Sequence, residues 1–414
     1  MNCTMRKKFQ MISSKKHLNN MHRKNIYDTM YGNIFPYIFI FFILSGYIIS
    51  PTPTWAITFY AILLPITFFL SCTNKNMALE AFKNKAFFTS FIMIIWFLLT
   101  ISWGVNQPAF NINKYISRSV VNLIFLLTAT YFFSHNNPKW KKLFFRYFPY
   151  AVFINIVLSI AIFYGVKGNP LDTRLIGWAE ARHPILGSLV ILTGFCISFY
   201  QTAISQKLHD KTIYGAVCFG CVCFVFLTQS RGPILTLLTI CGVFCLLSGK
   251  SIRWITLSTI TAILLIFGLN DSIHSFVIES ITRNPWRVEI WLDAWKYIQN
   301  APIIGNGLAS INTFGSIEQK FPHSIYVSSA FYGGFVGLAL LLALFGQIAM
   351  TALKTECKNT KALHLGLLCI PVVGGLTDLA QVSKSPGELW YILWLPITII
   401  IGYTIQQNRD KASR

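Results

Sequence analysis

Residues 324–351 read SIYVSSAFYGGFVGLALLLALFGQIAMT, with no charged residue anywhere in the run. At about 1.5 Å per helical residue, such a stretch is long enough to cross the ~30 Å hydrocarbon core of a bilayer. Comparable apolar windows fall near 34–51, 55–71, 86–104, 117–134, 147–165, 184–203, 212–229, 233–248, 254–270, 363–381 and 388–405. The composition agrees: 54% of residues are hydrophobic and only 12% charged, with a mean hydropathy of +0.54. Soluble domains carry roughly 25% charged residues. A water-soluble enzyme and a disulfide scaffold are both excluded. The expectation is an all-α polytopic membrane protein with about twelve transmembrane helices.

The formal net charge of +21 would suggest nucleic acid in a soluble protein. Here it has to be read against the positive-inside rule. The first 30 residues are too polar for a cleaved signal peptide. With the N-terminus cytoplasmic, 24 of the 35 Lys and Arg residues fall on the inner side, seven of them before Ile34. The basic excess is therefore an orientation signal facing anionic lipid, and no nucleic-acid partner is expected. The expected organisation is a basic cytoplasmic segment (1–33), nine spans (34–270), a long periplasmic loop with an amphipathic helix (271–323), three spans (324–405) and a cytoplasmic tail (406–414), with both termini inside.

Arginine is concentrated on the outer face. Six of the 11 outer basic residues are arginine (Arg118, Arg174, Arg182, Arg231, Arg283 and Arg287), against six of the 24 inner ones. Lysine serves for orientation, whereas the planar guanidinium fork is the better ligand for phosphate or pyrophosphate. All ten cysteines lie in spans or inner segments, so no periplasmic disulfide is expected. Cys218 and Cys221 read as packing residues of an apolar helix. No carboxylate or histidine set has metal-ligand spacing, and neither a Walker nor a Rossmann glycine motif occurs.

Two outer segments are long enough for chemistry: Lys167–His183 (KGNPLDTRLIGWAEARH) and the 53 residues Asp271–His323. In the second, Asn284-Pro285 is a helix-start signal, since Asn caps well and Pro suits the first turn. The helix that follows runs towards a stop at Pro302. Val288, Trp291, Leu292, Trp295 and Ile298 form its apolar stripe, expected to face the bundle or the interface. Arg287 falls in its first turn and Arg283 four residues earlier. A cation there opposes the helix dipole, but together with free N–H groups it makes an anion site. Arg231, in Thr-Gln-Ser-Arg231-Gly-Pro233, repeats this arrangement at the start of another helix. His323, just before the tenth span, is a candidate base because a positive helix end favours neutral imidazole. His183 also faces outward. Asp378, near the outer end of the eleventh span, is placed to orient an imidazole or pair with an arginine.

Several motifs together resemble the O-antigen ligase/polymerase family. They are Thr-Gln-Ser-Arg231-Gly-Pro, Arg287-Val-Glu-Ile-Trp291, Pro302-Ile-Ile-Gly-Asn-Gly307, Pro-His323-Ser-Ile-Tyr and Gly333-Gly-Phe-Val-Gly337. Asp172-Thr-Arg174-Leu-Ile-Gly177 and Arg182-His-Pro are similar to an earlier outer loop of that family. The likeness covers roughly residues 170–380. It implies an inner-membrane glycosyltransferase of GT-C-type architecture, working at the periplasmic face without cofactor, metal or ATP. The donor would be a glycan on undecaprenyl pyrophosphate, and in the ligase branch the acceptor would be a sugar hydroxyl of lipid A–core.

By the same resemblance, Arg231 and Arg287 bind the pyrophosphate and His323 deprotonates or orients the acceptor hydroxyl. Arg174 and Arg182 contact the donor, and Arg283, His183 and Asp378 belong to the same substrate surface. Ser324 departs from the Asn that many relatives carry after this histidine. Rival readings are an O-antigen polymerase, a protein O-oligosaccharyltransferase and a lipid-linked oligosaccharide transporter. The last should show charges near mid-membrane and an inverted repeat, whereas the charges here gather at one face and no repeat is visible.

Overall fold

The computed structural model describes residues 34–49, 52–73, 75–104, 112–135, 137–249, 253, 286–310, 312–316 and 318–413. Among them the protein is all-helical, with a single isolated bridge between Phe314 and Gln319 in place of any sheet. Helix α1 is Phe35–Ser45. Helix α2 runs Thr52–Thr58, through a π turn Phe59–Leu63, into Leu64–Thr73. Then come α3 (Lys75–Lys83), α4 (Lys85–Leu99), α5 (Ile112–Ser134), α6 (Pro138–Ile160), α7 (Pro184–Ile204), α8 (Leu208–Leu227) and α9 (Arg231–Leu247). The set closes with α10 (Trp286–Asn300), α11 (Ile325–Leu353), α12 (Lys358–Cys369) and α13, a π turn Trp390–Trp394 leading into Leu395–Ala412.

Seven of these helices are long and apolar enough to cross a membrane, and Phe35–Ser45, Thr54–Phe68 and Arg231–Leu247 are shorter apolar helices. Eleven of the twelve apolar windows thus coincide with helix. The ninth, 254–270, lies outside the described residues, as do residues 1–33 and Arg283.

Backbone polar groups inside a bilayer must be satisfied by protein, and this decides the shape of α11. Gly334 has φ 63° and ψ −166°, which breaks the helix and frees carbonyls and amides on either side. The segment 302–307 fills the break. Asn306 N donates to Phe331 O (2.8 Å) and Gly307 N to Tyr332 O (3.0 Å), while Phe335 N donates to Pro302 O (2.7 Å). Helix α4 and the turn after it close over the junction: Trp96 Nε1 donates to Gly333 O (2.9 Å) and Trp103 Nε1 to Gly305 O (3.2 Å). A β-carbon at Gly334 would stand 2.1 Å from Ile303 O. The two glycine-rich motifs singled out in the sequence therefore form one joint.

A second polar anchor sits among aromatic side chains. Asn122 Nδ2 donates to Lys384 O (2.7 Å) and Trp390 Nε1 donates to Asn122 Oδ1 (3.0 Å), fixing the loop that leads into α13. Phe125 stacks on Trp390 at 4.0 Å and Phe42 on Trp55 at 4.6 Å. At the opposite end of the bundle, Arg409 pairs with Glu80 and donates to Ser134 O (2.9 Å), holding the C-terminal helix to α3 and α5.

One expectation is corrected. The buried face of α10 is Ile290, Ala294 and Ile298, while Val288, Leu292 and Trp295 are exposed. The acidic residues decide the rotation. Gly315 N donates to Asp293 Oδ2 (2.9 Å) and Ser316 Oγ to Glu289 Oε2 (2.9 Å), so the polar edge of α10 seats the 314–319 turn.

Replacing Gly334 with alanine combines an unfavourable positive φ with a backbone clash, and should cost about 1–3 kcal/mol or more. A thermal melt in detergent tests this; a variant melting with the parent protein would show that the joint is not constrained as described.

Candidate functional site

The loop end of the bundle, where α7, α9 and α11 begin and the helical run continuing α12 through Ile370–Gly374 and Gly375–Thr377 ends, gathers most of the candidate residues. The sequence breaks helices there on purpose-built residues. Pro184, Pro233 and the extended backbone of Asp378 (φ −159°) mark two starts and a stop. Among the described residues, the five non-glycine residues with left-handed φ are Ala179, Gln229, Glu318, His323 and Leu379, and each flanks this end. Strain of that kind persists only where surrounding structure over-determines it, and it clusters at working sites.

His323 is the centre. Its Nδ1 lies 3.2 Å from Asp378 Oδ1, and its Nε2 lies 3.0 Å from Gln319 Oε1. Asp378 is buried and the imidazole partly exposed, with side-chain exposures of 6% and 31%. Asp378 Oδ1 also accepts from Leu379 N (3.0 Å), which fixes the carboxylate. A carboxylate on Nδ1 selects the tautomer with hydrogen there, so Nε2 carries the lone pair and is matched when the Gln319 amide turns its NH2 towards it. Of the partners considered for Asp378 in the sequence, the structure brings an imidazole to it.

Arg231 is the first residue of α9, and the turn before it is built from α7 and the 167–183 loop. Arg174 Nε donates to Thr228 O (2.8 Å) and its Nη2 to Ser230 Oγ (2.9 Å). Gln229 Nε2 donates to Asp172 O (2.8 Å) and Ser188 Oγ lies 2.7 Å from Thr228 Oγ1. Gly232 is packed so closely that a β-carbon would stand 2.0 Å from Thr377 Oγ1, which brings the start of α9 against the residue preceding Asp378. Arg174 is thus engaged in holding the arginine-bearing turn.

Arg287, in the first turn of α10, is half-buried and makes no hydrogen bond or ion pair among the described residues. One helical turn on, and hence on the same face, Trp291 Nε1 donates to Pro322 O (2.9 Å), directly before His323. Arg182 instead reaches Glu388, with Nε 3.9 Å from Oε1, and Lys384 joins the same carboxylate at 3.7 Å.

His183 caps α7: Leu186 N donates to its Nδ1 at 3.2 Å. Burial holds its pKa below the usual 6.5, opposed by Asp378 and Glu388 and assisted by Arg174 and Lys384. These groups place His183 between the Asp378 cluster and the Arg182–Glu388 cluster. Sequence reading missed Gln319, Glu180 and Glu388. Gln319 lies four residues before His323, a weak signal in a loop; the two glutamates meet only through the fold. Among the described residues no group of three or more His, Cys, Asp or Glu side chains can hold a metal.

The folded protein keeps His183 neutral where the unfolded chain would protonate it. Stability from this cap is therefore complete above pH 6.5 and is lost as pH falls through the lowered folded value. His183→Asn, which caps without titrating, should lose less melting temperature between about pH 7.5 and about pH 5 than the parent protein. Equal losses would remove His183 as the titrating cap.

The comparisons agree with the motifs. Residues 216–342 match the family model described as O-antigen ligase. The O-antigen ligase of Pseudomonas aeruginosa is 26% identical over 255 residues, covering 59% of this chain and 60% of that relative. The chain thus spans about three-fifths of that relative's length. A chain of a solved peptidoglycan synthase complex covers 80% of this chain and 98% of its own length at 14% identity, with a TM-score of 0.44, too low to assign the fold. The segment matched by the O-antigen ligase family model, residues 216–342, is the one that bears Arg231, Arg287 and His323.

Proposed function

We propose that the protein is an inner-membrane O-antigen ligase of lipopolysaccharide biosynthesis. It transfers a glycan from undecaprenyl pyrophosphate to a sugar hydroxyl of lipid A–core at the periplasmic face. The observation that carries this reading is the His323–Asp378 pair (3.2 Å) assembled beside the arginine-bearing start of α9. The periplasmic assignment rests on the asymmetry of Lys and Arg along the chain.

The acceptor hydroxyl oxygen attacks the anomeric carbon, and its proton passes to His323 Nε2. The carbon–oxygen bond to the pyrophosphate breaks, its electron pair leaving on the phosphate oxygen. Attack opposite the leaving group inverts the anomeric centre. Asp378 holds the imidazole and stabilises the imidazolium that forms. Arg231 and Arg287, each at a helix start, neutralise the leaving pyrophosphate by charge-assisted hydrogen bonds. Preorganised charge of this kind supplies the largest share of rate, and the base contributes about 10²–10⁴-fold. Arg174 acts through the 228–231 turn that it holds.

Transfer in proteoliposomes tests the reading, with the glycan–undecaprenyl pyrophosphate donor and, separately, lipid A–core, peptide or no acceptor. Glycan should appear on lipid A–core and should disappear with His323→Ala, which stays folded. Elongation with donor alone would make the protein a polymerase, and peptide modification an oligosaccharyltransferase. The absence of any covalent product would favour a transporter. Arg287→Lys should keep the charge yet lose most activity, since the bidentate fork is gone. Full activity in that variant would remove Arg287 from the pyrophosphate site. EDTA should leave the rate unchanged, because arginine rather than metal carries the charge; strong inhibition would overturn that assignment.

A further inference from the structure

Beside the His323 site lies a separate open pocket of about 410 Å³. Its floor is Glu180, its walls are Arg182, Lys384 and Glu388, and its mouth is formed by Ile57 and Tyr60 of α2. Glu180 is fully buried, and neither carboxylate oxygen has a hydrogen-bond partner in the protein among the described residues. A carboxyl group so placed is costly unless neutral or satisfied from outside. The walls do not satisfy it. The Arg182–Glu388 and Lys384–Glu388 pairs are long, at 3.9 and 3.7 Å, with both cationic side chains about half exposed. Among the described residues neither cation pairs with a carboxylate other than Glu388. Arg118 adds a third cation at the rim through its bond to Ser385 Oγ (3.2 Å).

We propose that this pocket is a second anion site, which binds the phosphate of a membrane lipid whose chains leave past Ile57 and Tyr60. With Glu180 protonated, two lining cations and the adjoining Arg118 stand against one carboxylate, and the floor offers an O–H donor. This is a set of donors with a positive balance, suited to a phosphate oxygen. The mouth explains the lipid. Ile57 is 61% and Tyr60 39% exposed on an apolar helix, so one side of the opening is an apolar wall. A free anion has no use for that wall.

Burial, with Glu388 adding to it and Arg182 and Lys384 opposing, pushes the Glu180 carboxyl up to about 9. The other ionisable groups around it are Tyr391 of α13, Tyr60 of α2, Arg118 of α5 and His183 beside its own turn. Ionisation of Glu180 above that value replaces a donor with a second negative charge and expels the phosphate.

The pocket stands independently of the transferase reading, which bears only on whether its lipid is donor, acceptor or bystander. The test is therefore a binding measurement without transfer, using purified full-length protein in an uncharged detergent. An Arg231→Ala/Arg287→Ala background removes the pyrophosphate site proposed above. The probes are undecaprenyl pyrophosphate, lipid A–core, the same lipid A–core after phosphatase treatment, and inorganic phosphate. At neutral pH at least one phosphorylated lipid should bind. Its affinity should fall about tenfold or more on dephosphorylation or in Arg182→Ala/Lys384→Ala, the loss of about one charge-assisted bond.

The lipid with the larger loss identifies the source. Between about pH 7.5 and about pH 9.5 the affinity should fall, and in Glu180→Gln it should hold. The proposal is overturned if the dephosphorylated lipid binds equally, if the double substitution has no effect, or if inorganic phosphate binds as tightly as the lipids. An unchanged alkaline loss in Glu180→Gln would equally remove the carboxyl from the site. Arg182 and Lys384 are half-exposed, so their replacement should leave the melting temperature in place and keep the binding comparison valid.

Discussion

The break in α11 at Gly334 is the constraint on which the loop end depends. A transmembrane helix can stop and restart only if its freed amides and carbonyls find partners in protein. Here the partners are the backbone of 302–307, brought in by the chain between α10 and α11. That single exchange fixes where α10 ends and lets α4 and the turn after it close over the joint through two indole N–H groups. It also sets the height at which Phe321–Ser324 turns into the membrane. His323 sits at the mouth of this turn with left-handed φ, a strain that Asp378, Gln319 and the Trp291–Pro322 bond together maintain.

The carboxylates of the loop end have diverged by environment. Glu289 and Asp293, on an exposed helix edge, hold a turn and leave the chemistry to others. Asp378 is buried but answered by an imidazole and a backbone amide, so it orients. Glu388 is shared between two exposed cations. Glu180 is buried with no hydrogen-bond partner among the described residues, and burial pushes its carboxyl up. The arginines divide in the same way. Arg174 is bound to the Thr228–Ser230 turn, Arg182 to Glu388, while Arg231 and Arg287 stand at helix starts, the position that favours an anion.

Much of this was legible in the sequence because it depends on periodicity and local stereochemistry. Long uncharged runs have one solution in hydrocarbon, so eleven of twelve windows are helix. Pro233 and Asn284-Pro285 announced helix starts through the fixed φ of proline, and α10 begins at Trp286. The pairing of His323 with Asp378 was foreseen only as one of two roles, since 55 residues of chain separate them. Of the stripe read for α10, Ile298 is buried and Trp291 half-buried, whereas Val288, Leu292 and Trp295 are exposed. Hydrophobic spacing cannot weigh an apolar stripe against two carboxylates that capture a distant turn.

The sequence by itself determined the solvent, the number of apolar runs and the kind of residue gathered at one end, because these follow from transfer energies and side-chain chemistry. Tertiary structure decided which of those residues meet. Gly334 and Gly305 become neighbours only when a helix breaks and another segment fills the gap. The Glu180 carboxyl is pushed up by burial and by Glu388, both of which the fold brings about. A composition lists the charges; whether each is paired, strained or left unsatisfied depends on distances that arise only when the helices pack.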